Sequence, residues 1–180
     1  MFAYLLLLVA ALSRVAVIPY HFFSFTAIGG SLLYFGARRS KVQIIFPVLL
    51  LAATDFYLTK FVYAYPFHAR DYAFTWVWYA AACLLGGAML SKRNGVLRIL
   101  GAAFVSATSF FLLSNFIVWA GSHMYAKSAA GLAACYTAGL PFYPRDLVAT
   151  AAVAGCAFGI EALVKQIAAM RHPAGSSIAA

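Results

Sequence analysis

Apolar residues run through this chain in long stretches, interrupted at intervals by short clusters of polar, basic or proline residues. The first stretch, Phe2 to Ile18, carries a single charge at Arg14 and stops at Pro19, Tyr20 and His21. The second, Phe22 to Ala37, is short and ends in Arg38, Arg39, Ser40 and Lys41. A third, Val42 to Tyr63, holds Asp55 and Lys60 toward its far end and is followed by Tyr65, Pro66, Phe67 and His68. The fourth, Tyr72 to Leu90, opens with Phe74, Trp76, Trp78 and Tyr79, aromatic side chains of the kind that settle at a membrane interface, and closes on the polar turn Ser91 to Gly95. The fifth runs from Val96 to about Trp119, and the last from about Leu147 to Met170. Between these two lies the longest connection, Gly121 to Asp146, whose Ser128 to Leu140 portion is rich in Ala, Gly and Leu and is expected to form a short helix.

A helix of about 20 apolar residues crosses roughly 30 Å of hydrocarbon. The pattern therefore predicts an all-α integral membrane protein with about six transmembrane helices in one bundle over residues 1–172, the second span being the weakest by length. Residues 173–180 have the polar, small-residue composition of a disordered tail. Composition agrees: of 180 residues, 65% are hydrophobic and 9% charged, and the mean hydropathy is +0.89. Soluble domains hold about half apolar and a quarter charged residues.

The formal net charge of +9 raises nucleic acid as a partner, but the positions exclude it. Arg38, Arg39, Lys41, Lys92, Arg93, Arg98, Lys165 and Arg171 sit at junctions between apolar runs, not on one continuous surface, which is the pattern of topology signals. Placing those clusters inside puts both termini in the cytoplasm and gives the outer face the longer, aromatic and histidine-bearing loops. The N-terminus lacks a basic n-region and a small-x-small cleavage site, so the first run is read as a retained span. Cys83, Cys135 and Cys156 show no CxxC spacing and suggest neither a disulfide framework nor a zinc motif.

Ionisable residues inside spans cost a few kcal/mol on insertion scales and are functional candidates by default. Arg14, Asp55, Lys60, Asp146 and Glu161 qualify in differing degrees. Arg14, Asp55 and Lys60 lie toward the outer ends of their helices, where they either converge on an outward-facing polar pocket or simply pair and snorkel. His21, His68 and His123 fall in three different outer loops, and Cys135 lies in the third. Imidazole and thiolate suit transition metals, yet no pair stands at i, i+3 or i, i+4, so no metal site is assigned. Ser114, Asn115, Phe116 and Trp119, followed by His123 and Tyr125, make a polar and aromatic patch that suits either an interhelical hydrogen bond or a flat polar solute. Ala151, Gly155 and Gly159 recur at four-residue intervals, a helix-packing stripe whose partner is either this chain or another subunit. The substrate-binding candidates are thus Arg14, His21, Asp55, His68, Asn115, Trp119, His123 and Tyr125. There is no GxSxG, HExxH, phosphate-binding glycine loop or paired-carboxylate motif, so neither catalysis nor a cofactor is expected, and any active transport needs an energising partner.

Several of these residues carry a resemblance. Arg14 through Pro19, His21, Phe25, Thr26 and Ala27 to Gly30, the Thr54 and Asp55 pair, Asn115 and Phe116 with Trp119, and Met124 to Pro141 followed by Phe142 look like an uncharacterised bacterial membrane protein family. That family is itself described as similar to the substrate-binding S components of energy-coupling factor (ECF) transporters. The resemblance reaches to about Gly159. It implies a bundle in the bacterial inner membrane that captures a micronutrient-like solute from the outer face, with a transmembrane coupling subunit and cytoplasmic ATPases as partners. In one respect the chain departs from it: small residues four apart on the first helix are replaced by Ala10 with Arg14 and Ala11 with Val15, which leaves docking to a shared coupling module and a dedicated or solitary system both open. The competing classes are a non-transporting membrane scaffold or assembly subunit and an intramembrane enzyme, the latter requiring Asp55, His68 or His123 to cluster.

Overall fold

A computed structural model describes residues 1–20 and 27–171, with the side chains of residues 16–20 excluded. His21 and the tail 173–180 lie outside the described residues. The chain folds into helices α1 (Phe2–Tyr20), α2 (Ile28–Arg38), α3 (Ile45–Tyr57), α4 (Ala69–Leu90), α5 (Val96–Gly121), α6 (Ala129–Gly139) and α7 (Tyr143–Arg171). A 3-10 turn, Lys41–Ile44, leads into α3, and a π-helical segment, Leu58–Val62, extends it. Four helical stretches are long and apolar enough to cross a membrane: Lys41–Val62, Ala69–Leu90, Val96–Gly121 and Tyr143–Arg171. Their outward faces carry exposed Leu, Val, Ile and Phe side chains, such as Leu49, Val77, Phe104 and Leu163, as lipid-facing helices do because lipid removes the penalty for exposing apolar surface.

Among its described residues the second apolar run forms an 11-residue helix, about 16 Å long. Its composition explains its place. Gly29, Gly30 and Gly36 leave no side chain between α2 and its neighbours, so α2 sits at the centre of the bundle with Gly29 to Phe35 and Ala37 buried. A Cβ on Gly36 would lie 1.7 Å from the carbonyl oxygen of Cys83 in α4, and one on Gly30 would lie 2.6 Å from the Ala154 nitrogen in α7. From the other side, a Cβ on Gly86 would meet the Leu33 carbonyl oxygen at 2.1 Å. These approaches are backbone to backbone, which is how membrane helices gain contact without a hydrophobic driving force.

Side-chain contacts fix the directions. Helix α2 runs alongside α4 and α7 in the same sense, with Arg38 reaching both the Ser91 carbonyl and the Glu161 carboxylate. Helix α1 runs against α2: Phe2 packs edge-on to Tyr34, while Ser13 at the other end accepts from the Ala27 amide. The start of α1, the end of α7 and the basic clusters therefore gather at one end of the bundle. There Glu161 is bound by Arg38 at 2.7 Å, Lys165 at 2.6 Å and the Tyr34 hydroxyl at 3.0 Å. Gly155 and Gly159 have nothing within 4 Å and are exposed, whereas Thr150, Ala154, Ala157 and Phe158 form the buried face of α7. The stripe at Ala151, Gly155 and Gly159 thus does not close a helix pair within this chain beyond the partly buried Ala151.

Candidate functional site

The end of the bundle opposite the basic clusters collects the polar groups that the apolar interior has to neutralise. Asp55 is 2% exposed, and its Oδ1 lies 2.6 Å from Arg14 Nη2. Its Oδ2 accepts from Trp76 Nε1 at 2.9 Å. A carboxylate this deeply placed needs an opposite charge and further donors, and α1 supplies the charge and α4 the donor to the Asp55 of α3. Trp76 is itself the last ring of a stack: Phe67 and Tyr72 lie parallel at 5.2 Å between centroids, and Tyr72 and Trp76 at 6.3 Å. The Tyr72 hydroxyl pairs with Thr59 at 2.6 Å, inside the π-helical segment that follows Asp55. π-Helical insertions recur at functional sites because they re-aim side chains; here the segment brings Thr59 to the aromatic stack. Arg14 Nη1 is buried and has no hydrogen-bond partner among the described residues.

Two cavities adjoin at this end. The smaller, about 260 Å³, is lined by Arg14, Asp55, Tyr72, Trp78, Tyr79, Phe110 and Asp146 among others. The larger, about 440 Å³, lies between α5, α6 and α7, where Phe110, Phe111, Asn115, Tyr125, Tyr143 and Asp146 face it. Phe110 and Asp146 line both. Trp78 holds the shared wall: its ring sits 4.6 Å from Phe110 and its Nε1 donates to Ser109 at 3.3 Å. Asp146 stands in the first turn of α7, and its carboxylate makes no ion pair among the described residues. The charged residues facing the two cavities are one arginine, already bound to Asp55, and two aspartates, so the lining carries a formal negative charge in a chain of formal charge +9.

The larger cavity owes its shape to α6, which folds back against the end of α5. Lys127 donates to the carbonyls of Trp119, Ala120 (3.0 Å) and Ser122 (2.6 Å), satisfying the last turn of α5. Ser128 caps α6 by accepting from the Gly131 amide at 3.2 Å. A Cβ on Gly131 would fall 2.0 Å from the Ala126 carbonyl oxygen, so this turn requires a glycine. Cys135 donates to the Asn115 carbonyl at 3.3 Å and Tyr136 to the Leu112 carbonyl at 2.8 Å. Asn115 returns its amide to the Phe111 carbonyl at 2.8 Å, and its side chain sits against Gly139, where a Cβ would come within 2.5 Å of Oδ1.

Of the residues expected from sequence, Arg14 and Asp55 meet in the smaller cavity and Asn115 and Tyr125 in the larger. Trp119 does not line either; its Nε1 donates to the Ala126 carbonyl at 2.9 Å and supports the α5–α6 turn. His68 is exposed at the N-terminus of α4, and His123 is exposed in the turn after α5; neither touches the cavities. His21 lies outside the described residues. Lys60 is exposed and rests over the Phe56 and Phe61 rings, a snorkelling placement. Asp146 is among the ionisable candidates read from sequence but not in the substrate-binding set, and Trp76 and Tyr143 are in neither. The signal available was Asp146 itself, an acidic residue at the very start of an apolar run whose one internal cation, Lys165, lies about five turns further along the helix. No group of three or more His, Cys, Asp or Glu side chains able to hold a metal ion occurs among the described residues.

A sequence family described as a family of unknown function (DUF6580) matches residues 1–173. No curated protein and no solved structure matches the chain.

Proposed function

The chain belongs to the DUF6580 family, and from the chemistry of its site we propose that it is the membrane-embedded binding subunit of a solute uptake system. The observation that carries the reading is the pair of adjoining aromatic cavities that share Asp146. Ligand sites are concave, largely apolar and furnished with a few convergent polar groups. A carboxylate with no ion-pair partner among the described residues, ringed by Phe110, Phe111, Tyr125 and Tyr143, suits an organic cation with a flat or apolar body, since aromatic faces attract cations by a further 0.5 to 2 kcal/mol or so. The Arg14–Asp55 pair is a fixed dipole in the wall rather than a net charge, and Asn115 adds an orienting amide.

Orientation follows from charge. With the basic end inside, both termini are cytoplasmic and the cavities face outward in a bacterial inner membrane, with α1, α2, α3, α4, α5 and α7 alternating in direction as six crossings do. Helix α2 is the shortened crossing, shielded from lipid by its neighbours. The solute enters from outside, and release to the cytoplasm requires an energising partner of the ECF kind, a transmembrane coupling subunit with cytoplasmic ATPases, because this chain has no nucleotide-binding motif. The alternative of a scaffold without a ligand gives no role to an aromatic cavity around a carboxylate that has no ion pair among the described residues.

The test is thermal unfolding of the purified, detergent-solubilised protein against size-matched aromatic amines, neutral aromatics and aromatic carboxylates. A cationic ligand at 100 times its Kd adds about 2.7 kcal/mol, roughly 5 to 11 °C for a chain of this size. Folded protein that gains nothing from any cationic solute, or that gains as much from the anions, would refute the proposal.

A further inference from the structure

The basic end holds a third cavity, of about 670 Å³, that the solute reading does not use. It lies where the end of α2, the 3-10 turn before α3 and the last turns of α4 meet. Arg39, Lys41 and Lys92 are its charged residues, and no acidic side chain lines it. Glu161, the acid of this end, is occupied by Arg38 and Lys165 and stands outside the lining. The floor is apolar and small, with Gly36, Ala37, Cys83, Gly87 and Ala88. Arg39 lies with its guanidinium carbon 4.8 Å from the centroid of the Tyr4 ring, and its Nε is buried with no hydrogen-bond partner among the described residues. A buried donor of this kind is costly unless something accepts from it. The cavity also reaches the lipid-facing surface: Leu84, one of its lining residues, is 48% exposed, and Val42, beside Lys41, is 84% exposed.

We infer that this cavity binds the phosphate-bearing head group of an anionic phospholipid, with an acyl chain running down the bilayer face beside Leu84. Three cations without an acid select a negative group. The continuity of the cavity with apolar, outward-facing helix surface selects a lipid over a free anion or an acidic peptide. Basic pockets between transmembrane helices at the cytoplasmic level hold lipid head groups by this combination. The inference is independent of the solute reading, since this cavity lies at the opposite end of the bundle from the other two and shares no residue with either.

The experiment measures binding to the full chain in neutral detergent micelles doped with phosphatidylglycerol, with phosphatidylcholine, or with neither plus inorganic phosphate, by native mass spectrometry and by thermal shift. Phosphatidylglycerol is expected to be retained and to stabilise, and phosphatidylcholine and phosphate are not. Lys92→Gln and Arg39→Gln each weaken phosphatidylglycerol binding roughly fivefold, the equivalent of about 1 kcal/mol per basic residue near an anionic surface. Lys92→Arg restores it, and Lys165→Gln, outside the cavity, leaves it unchanged. Equal retention of phosphatidylcholine, or indifference to both Arg39→Gln and Lys92→Gln in protein that remains monodisperse, overturns the site. Protection by inorganic phosphate equal to that by phosphatidylglycerol overturns the lipid assignment. Displacement of the lipid by an acidic peptide but not by excess phosphatidylglycerol does the same in favour of a protein partner.

Discussion

Replacing Asp55 by asparagine keeps the shape of the side chain and removes one charge from a pair that water scarcely reaches. Asp55 is 2% exposed and Arg14 19%, so the guanidinium left behind has little solvent to compensate it. Breaking a buried ion pair by removing one partner costs about 3 to 5 kcal/mol, and the lower figure applies here because Arg14 retains partial access. Trp76 Nε1 keeps an acceptor in the amide oxygen, so its hydrogen bond is weakened, not lost. At about 2 to 4 °C per kcal/mol for a chain of this size, Asp55→Asn lowers the midpoint of thermal unfolding by roughly 6 to 12 °C. The assay is tryptophan fluorescence or circular dichroism of the protein in detergent on heating. Arg14→Gln, which strands the carboxylate, gives a loss of similar size. The double variant is more stable than the sum of the two losses predicts by at least about 1 kcal/mol, because neither charge is then left alone. Additive single effects below about 0.5 kcal/mol each would refute the idea that this pair is the charge-neutralising element of the bundle.

Three further outcomes follow from the packing. Gly36→Ala forces α2 and α4 apart, since the new Cβ meets the Cys83 backbone at 1.7 Å; it reduces the monodisperse yield on size-exclusion chromatography, whereas Gly155→Ala and Gly159→Ala, which meet nothing within 4 Å, leave the yield of the monomer intact. Gly139→Ala displaces the Asn115 side chain, costing about 1 to 3 kcal/mol as other overpacking changes do, and the loss is smaller in an Asn115→Ala background when unfolding midpoints are compared. Lys127→Ala removes the donor shared by three carbonyls at the end of α5 and speeds amide hydrogen exchange in Ala120 to Tyr125 relative to the core of α5.

Much of the fold was legible from hydropathy. The third, fourth and fifth runs correspond to Lys41–Val62, Ala69–Leu90 and Val96–Gly121, and the Ala-rich stretch after Ser128 does form a helix, Ala129–Gly139. The second run, expected to be the weakest span, yields the short α2 from Ile28, which is stabilised by burial among neighbours through glycine, a tertiary effect invisible in a linear profile. Hydropathy starts the last run at about Leu147, but α7 starts at Tyr143, one turn earlier, with Pro144 in the first turn where its missing amide is no loss. That turn is what puts Asp146 at the cavity. The meeting of Arg14 with Asp55 was foreseeable from the cost of lone charges in apolar helices. The roles of Trp119, His68 and His123 were not, because aromatic and imidazole side chains near helix ends look the same in sequence whether they face a cavity, a turn or solvent.

The central claim is that a cationic solute is held between Phe110 and Asp146, and an experimental structure of the protein incubated with the most stabilising aromatic amine tests it most directly. The account predicts ligand density in the two adjoining cavities with the cationic centre within about 4 Å of the Asp146 carboxylate, and no such density for the Asp146→Asn protein under the same conditions. Cavities filled by repacked side chains or by lipid, or a ligand seated away from Asp146, would contradict it.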